Sequence, residues 1–317
     1  MTTRSTIPAA GADQAAASAG ADADQAASAA GADRVLPGGS PSALLEHLVL
    51  AGLAFVPLLL VDRGVVSTDT KTYLYLDPVR FLGQVASMWY PTVALGTVTH
   101  QYIGYLFPMG PYYALTAVAH VPTWIAQRVW LGALLFAAGA GVLALSRALR
   151  IRGPGRIVAA LAFMWSPYVL QYSGRISVIL MPWAALPWLV ACTVLALRSQ
   201  RRSAEGTPDA HRRSWRYPAL FALVIALSSG INASSVLYIV IGPVLWLLWA
   251  VAVEKEATWR DAGVVLAQMG ALSVLVSAWW IVGLVIEAGF GVDILRYTES
   301  VRATSSTSTP LEVLRGL

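Results

Sequence analysis

The chain has 317 residues, of which 57% are hydrophobic and only 12% charged, with a mean hydropathy of +0.62. Soluble domains carry about 25% charged residues, so the composition excludes a globular domain on a single anchor and points to an all-α polytopic membrane protein. The net charge of +5 acts through its distribution, because basic residues near span ends set topology, and the lone cysteine, Cys192, excludes an intrachain disulfide and any cysteine-based metal site.

Residues 1–41 repeat AGAD at Ala10–Asp13, Ala19–Asp22 and Ala30–Asp33, padded with Ala, Ser and Gln. Without large hydrophobes or an apolar helical stripe, this segment cannot offset its ordering entropy, and a disordered cytosolic tail is expected. It lacks the basic start and short apolar core of a signal peptide.

Residues 42–317 form the membrane domain. A hydrocarbon core about 30 Å thick needs about 20 helical residues. Apolar runs mark about seven spans, at 43–61, 126–145, 157–170, 178–197, 217–227, 233–253 and 262–287. The third is interrupted near Pro167, and the fourth contains Pro182 and Pro187. The fifth is too short to cross straight and is followed by the helix-breaking Ser228-Ser229-Gly230-Ile231-Asn232. Residues 217–253 therefore read either as two spans or as one long bent helix.

A long loop, 62–125, separates the first two spans. Within it Asp77 precedes Pro78, the pattern of an N-cap with proline at the first helical position. Val79, Phe81, Leu82, Val85 and Met88/Trp89 fall near one face, which predicts a short amphipathic helix along the membrane surface, with a second over Gly110–Val121. The turns after the second, fourth and sixth spans carry four, six and two Lys/Arg. The positive-inside rule then puts the N-terminus in the cytosol, and the long loop, the turn at Gln171–Ser177, the Ser228–Asn232 turn and the final tail outside.

No charged residue lies mid-span, which argues against an ion-coupled pump. The polar chemistry gathers instead at the expected outer helix ends: Asp69, Lys71, His100, Gln101, Tyr102, Arg175, Asn232, Arg296 and Glu299. No P-loop, Rossmann glycine pattern, HExxH or GxSxG occurs. Sugar transfer from a lipid phosphate needs a carboxylate to take the acceptor's proton, cations or donors to hold the departing phosphate, and walls for the sugars. Asp69 suits the first task. Lys71, Arg175, Arg296 and the Asn232 turn suit the second, and Tyr73, Tyr75, Trp89, Tyr90 and Tyr102–Tyr105 the third. Each residue also has a structural reading. Asp69 can cap a helix beginning at Thr70, Lys71 and Arg175 can meet lipid headgroups, the aromatics can form an interfacial belt, and Asn232 can simply end a turn.

Several blocks go further: STDTKTYLYLDPVRFL (Ser67–Leu82), HQYIGYLFPMGPYY (His100–Tyr113), QRVW (Gln127–Trp130), SPYVLQYSGRISVILMPWAALPW (Ser166–Trp188), SSGINAS (Ser228–Ser234) and GVDILRYTESV…EVLRGL (Gly291–Leu317). Together they resemble the N-terminal membrane region of the α-(1→3)-arabinofuranosyltransferase family, the AftD type, over roughly Leu44–Leu317. The resemblance implies a GT-C-type transmembrane helix bundle with a long first extracytoplasmic loop carrying interfacial helices, in the cytoplasmic (inner) membrane with its site facing outside. It implies a lipid donor, decaprenylphosphoryl-arabinofuranose, as co-substrate, and a growing cell-wall arabinan as acceptor, extended at a 3-hydroxyl with inversion. It assigns the catalytic base to the acid of the D-T-K block, Asp69. Substrate contacts are expected, from their place at the outer helix ends and in the long loop, of Lys71, His100, Gln101, Tyr105, Arg175, Asn232, Arg296 and Glu299. No metal ligand set or cofactor is implied, and a divalent-metal requirement stays open.

Two departures stand out. Some family members read FPHG where this chain has Phe107-Pro108-Met109-Gly110, and some carry an acid after the I-S of the Gln171–Ser177 turn, where this chain has Val178. The second leaves a paired-carboxylate scheme without its partner. Family members also continue into further spans and carbohydrate-binding modules, so a fragment is expected. The competing readings are a flippase of polyprenyl-linked sugar and an inactive truncated scaffold. The Arg198–Arg216 loop reads as topogenic, or as a dock for an acidic cytosolic protein or anionic lipid. Membrane lipids are expected partners and nucleic acid is not.

Overall fold

A computed structural model of the chain describes residues 41–91, 95–98, 102–172, 177–204 and 214–290. The expected tail before residue 41 and the final segment after 290 lie outside these. Among the described residues five helices are long and apolar enough to cross a membrane: α1 (Pro41–Leu60), α5 (Thr123–Ala148), α8 (Ser177–Ala204), α10 (Ala233–Ala252) and α11 (Trp259–Phe290). The protein is a multi-pass membrane protein. Between α5 and α8 the chain forms two short helices, α6 (Gly155–Met164) and α7 (Pro167–Tyr172), parted where Pro167 lacks an N–H to continue the ladder. Between α8 and α10 lies α9 (Arg216–Ser228). Residues 217–253 are therefore two helices, broken at Ser229–Asn232, and Asn232 accepts from Ser235 N at 3.2 Å as the N-cap of α10.

Small residues let the central pair approach closely. α5 presents Ala138, Gly139, Ala140, Gly141, Ala144 and Ala148 as buried positions. A Cβ at Gly141 would sit 2.7 Å from Pro187 Cγ and Trp188 Cδ1 on α8, the small-residue packing that membrane helices use in place of a hydrophobic drive. Trp188 Nε1 donates to Ala137 O at 2.8 Å across the same seam. α8 is continuous through Pro182 and Pro187 and on to Ala204. Arg198, Arg201 and Arg202 therefore stand on its last turns, not in the loop expected from 198 onward, because an apolar stretch of this length carries the helix beyond the bilayer. Arg212 and Arg213 lie outside the described residues.

The bundle has two unlike ends. Arg156 donates to Glu46 Oε1 through Nε at 2.9 Å and Nη2 at 2.6 Å, joining the starts of α6 and α1. Arg198 donates to Ala148 O, joining the ends of α8 and α5, and lies 3.6 Å from Glu256. At the opposite end the segment between α1 and α5 folds back over the helices as α2 (Tyr73–Leu76), α3 (Pro78–Val85), a ribbon β1 (Trp89–Tyr90) with β2 (Thr97–Val98), a 3₁₀ turn (Tyr102–Leu106) and α4 (Met109–Val118). Leu74, Tyr75, Phe81, Val85, Tyr105, Met109 and Tyr113 form its own core, continuous with Ala126, Trp130, Met181 and Ile231 from the bundle.

Asp77 caps α3 by accepting from Arg80 N at 3.2 Å. The buried face of α3 is narrower than its periodicity suggests. Pro78, Phe81 and Val85 are buried, but Val79 is exposed and the helix stops at Val85, because the ribbon begins four residues later and carries Trp89 away.

The 3₁₀ turn meets the α9–α10 break backbone to backbone. A Cβ at Gly104 would overlap Gly230 O, with Gly230 C at 2.7 Å and Ile231 Cα at 2.9 Å. Only glycine permits this approach. Trp280 Nε1 of α11 donates to Ser229 Oγ at 3.2 Å and ties the third element into the same junction.

Candidate active site

Asp69 lies at this end and is 5% exposed. Its Oδ1 accepts from the backbone N of Ser177, and its Oδ2 accepts from Ser177 Oγ at 2.5 Å and from Tyr75 Oη at 2.9 Å. It caps no helix beginning at Thr70: α2 starts at Tyr73, and its N-cap Thr72 makes no side-chain cap bond. Its bond to Ser177 N instead reaches the first residue of α8. A carboxylate offers about four acceptor sites. Described residues occupy three, which leaves one lone pair of Oδ1 open among them.

The loop that carries Asp69 is held from below by a residue the sequence reading quoted only inside the QRVW block. Gln127, fully buried in the second turn of α5, accepts from Ser67 N at 2.9 Å and Ser67 Oγ at 3.1 Å, and donates to Ser67 O at 2.9 Å. Ser67 O also accepts from Asp69 N at 2.9 Å, closing a tight turn that aims the acid. Next to Gln127, Arg128 is 8% exposed and makes one long contact, Nη2 to Val65 O at 3.4 Å. Among the described residues its Nε finds no partner and no carboxylate pairs with it. A buried guanidinium without an anion is costly, so this one invites a negatively charged ligand. Ser177, Gln127 and Arg128 were missed as site residues. The available signal was a Gln-Arg pair at the head of an apolar run, where polar side chains need a reason.

Tyr105 and Lys71 flank the acid. Tyr105, almost fully buried, shares a hydrogen bond between its Oη and Thr70 Oγ1. Lys71 is exposed, and its Nζ stands 5.4 Å from the centroid of the Tyr102 ring, within cation–π range. Burial first, and then the neighbouring Asp69 charge, hold the Tyr75 phenol well above its usual value. Tyr75 therefore stays a protonated donor to the carboxylate. Burial likewise raises Tyr105 and Tyr113, and pushes Tyr112, whose Oη donates to Ala126 O, up to about 12. Asn232 is occupied in capping α10 one backbone contact away, at the Gly104–Gly230 junction. His100, Gln101, Arg175, Arg296 and Glu299 lie outside the described residues. Met109, in the FPMG block, is fully buried in the core of this segment. Cys192 is buried in the bundle core, away from the site.

The assembly offers a carboxylate with one open lone pair, an anion-seeking guanidinium on the adjacent helix, and aromatic walls. That set suits removal of a proton from a hydroxyl beside a leaving anion.

The family profile "Alpha-(1->3)-arabinofuranosyltransferase, N-terminal GT-C domain" matches residues 53–317. A protein named alpha-(1->3)-arabinofuranosyltransferase from Mycobacterium tuberculosis is 33% identical over 269 residues, covering 84% of this chain and 18% of that protein. Its namesake from Mycolicibacterium smegmatis is 34% identical over 255 residues, covering 80% and 17%. The cryo-EM structure of arabinofuranosyltransferase AftD from mycobacteria superposes with a TM-score of 0.66 at 30% identity, over 76% of this chain and 17% of that one. The chain thus spans less than a fifth of the length of these relatives.

Proposed function

The chain belongs to the alpha-(1->3)-arabinofuranosyltransferase family through its N-terminal GT-C domain, and from that premise we propose that it is the membrane portion of an enzyme that transfers arabinofuranose from decaprenylphosphoryl-arabinofuranose to a 3-hydroxyl of growing arabinan, with inversion. Asp69 is the base. The acceptor hydroxyl attacks the anomeric carbon, its proton passes to the open lone pair of Asp69 Oδ1, and the bond from that carbon to the phosphate oxygen breaks. The electron pair leaves with decaprenyl phosphate, whose charge Arg128 receives, with Lys71 at the rim. Gln127 positions the loop, and Ser177 and Tyr75 orient the carboxylate. The donor reaches the site from the bilayer, along helices such as α1, α10 and α11 that leave most of their apolar surface uncovered.

The observation that carries this reading is the buried Asp69, ringed by three donors, at the end of the bundle opposite the arginines. The arginines at that opposite end support, through the positive-inside rule, a cytosolic arginine end and an acid on the outer side of the cytoplasmic membrane. Asp69→Asn in the full-length protein is expected to lower transfer about 10²–10⁴-fold, the usual worth of a general base, with membrane insertion intact. Activity near wild type ends the assignment. The burial of Asp69 supports a second reading, a latch tying the loop to α8. A latch predicts that Ser177→Ala costs as much activity as Asp69→Asn, whereas a base predicts a far smaller loss.

A further inference from the structure

Beside the site, between α3, the ribbon and the 3₁₀ turn, lies a cavity of about 310 Å³ that Asp69 does not line. Its walls are aromatic. Tyr73 meets Tyr102 edge-on with centroids 5.7 Å apart, and Tyr90 meets Tyr102 edge-on at 6.3 Å. The Tyr73 and Tyr102 hydroxyls bond to each other, which stiffens the corner. Its rim is polar. Arg80 and Gln84 project from successive turns of α3, Arg80 exposed and Gln84 partly buried, and Ser87 closes the end with its Oγ donating to Trp89 O at 3.2 Å.

The lining is electrically balanced, with one guanidinium, Arg80, and one carboxylate, Asp77. A phosphate would meet that carboxylate, and an acyl chain would leave the polar rim unsatisfied. An uncharged polyol with a C–H face suits both halves, laying the face on the tyrosines and its hydroxyls against Arg80, Gln84 and Asp77. The volume lies at the lower end of the roughly 300–1,000 Å³ range of small-ligand sites. Two contacts connect the cavity to the acid: Phe81 packs on Tyr105 at 5.8 Å, and Tyr105 bonds to Thr70 beside Asp69. A sugar in the cavity is therefore not the sugar that reacts.

We propose that this cavity is a saccharide subsite holding a furanose residue of the acceptor glycan away from its reacting end. It rests on the function proposed above for the identity of the glycan.

The test uses the full-length protein in lipid nanodiscs, without lipid donor, and a synthetic arabinofuranosyl oligosaccharide followed by saturation-transfer NMR. Wild type is expected to bind. Arg80→Ala, at an exposed position, and Gln84→Ala, at a partly buried one, both checked for native helicity, are expected to weaken binding about tenfold each, the worth of one good hydrogen bond lost from a site. Unchanged affinity in both variants overturns the subsite, as does the absence of oligosaccharide binding by folded wild type. Binding that follows this pattern in a protein that transfers no arabinose when donor is added supports the subsite and sinks the proposed reaction instead.

Discussion

Replacing Gln127 with alanine tests whether the loop acid is aimed from the bundle. The substitution leaves Ser67 N–H without its partner, removes one of two donors from Ser67 O, and empties a fully buried position. An orphaned buried donor costs about 1–3 kcal/mol and a lost neutral hydrogen bond about 0.5–1.5 kcal/mol, so roughly 2–4 kcal/mol is expected, against a total stability of about 5–15 kcal/mol. The control is Ser67→Ala, which removes only the hydroxyl contact at 3.1 Å and stays near about 0.5–1.5 kcal/mol. Thermal unfolding in detergent should show a fall of roughly 3–6 °C for Gln127→Ala. Transfer activity of the fraction still folded should drop about 10²-fold, as when a catalytic group moves by about 1 Å. Gln127→Glu keeps the acceptor for Ser67 N but faces Ser67 O with an oxygen, so its defect should ease as the pH falls and the carboxyl regains a proton to donate. A Gln127→Ala protein with unchanged Tm and activity within about twofold, well under one hydrogen bond's worth, would falsify the account of how Asp69 is positioned.

Arg128→Met removes a buried charge that no carboxylate balances among the described residues, so the Tm should hold or rise while the KM for lipid donor increases and that for acceptor stays put; a destabilised protein with normal donor KM would make Arg128 structural. Gly104→Ala drives a methyl into the Gly230 backbone and should cost about 1–3 kcal/mol as overpacking that a backbone cannot relieve, and wild-type unfolding would deny the contact. Tyr75 and Tyr113 have folded values raised above the unfolded value of 10.0, so the unfolded chain loses protons first. The stability they lend is complete below about pH 10 and declines as the pH rises further. A Tm series through that range should fall, and Tyr75→Phe should flatten it.

The two sides of the molecule were unequally legible. Long apolar runs with basic turns announce membrane helices, because lipid demands length and the cytosolic face demands charge. The break at Ser228–Asn232 was visible as a glycine between polar residues, although only the backbone contact with Gly104 explains why it must be there. The end of α8 was not legible, since arginines on a helix protruding from lipid look like arginines in a loop. Asp69 was singled out by its solitary charge and the D-T-K resemblance, but spacing alone favoured a cap on a helix from Thr70. What decides against that cap is the start of α2 at Tyr73, and no local pattern encodes the pairing with Ser177, far along the chain. Gln127 and Arg128 were obscured by the opposite difficulty: at the mouth of a span, a Gln-Arg pair reads as a membrane boundary until its partners are seen.

The bond between Asp69 and Ser177 joins residues 108 positions apart. At a synthesis rate of about 5–20 residues per second, roughly 5–20 s pass between the emergence of the acid and that of the serine that receives it. Throughout that interval Asp69 lacks two of its three hydrogen bonds, and Gln127, arriving midway, can steady the loop but cannot finish it. The proposed reaction centre is thus a product of late biogenesis, assembled only once α8 has been inserted beside α5. Variants that delay or misdirect the insertion of α8 should yield protein that is present in the membrane yet inert, with every residue of the loop unaltered.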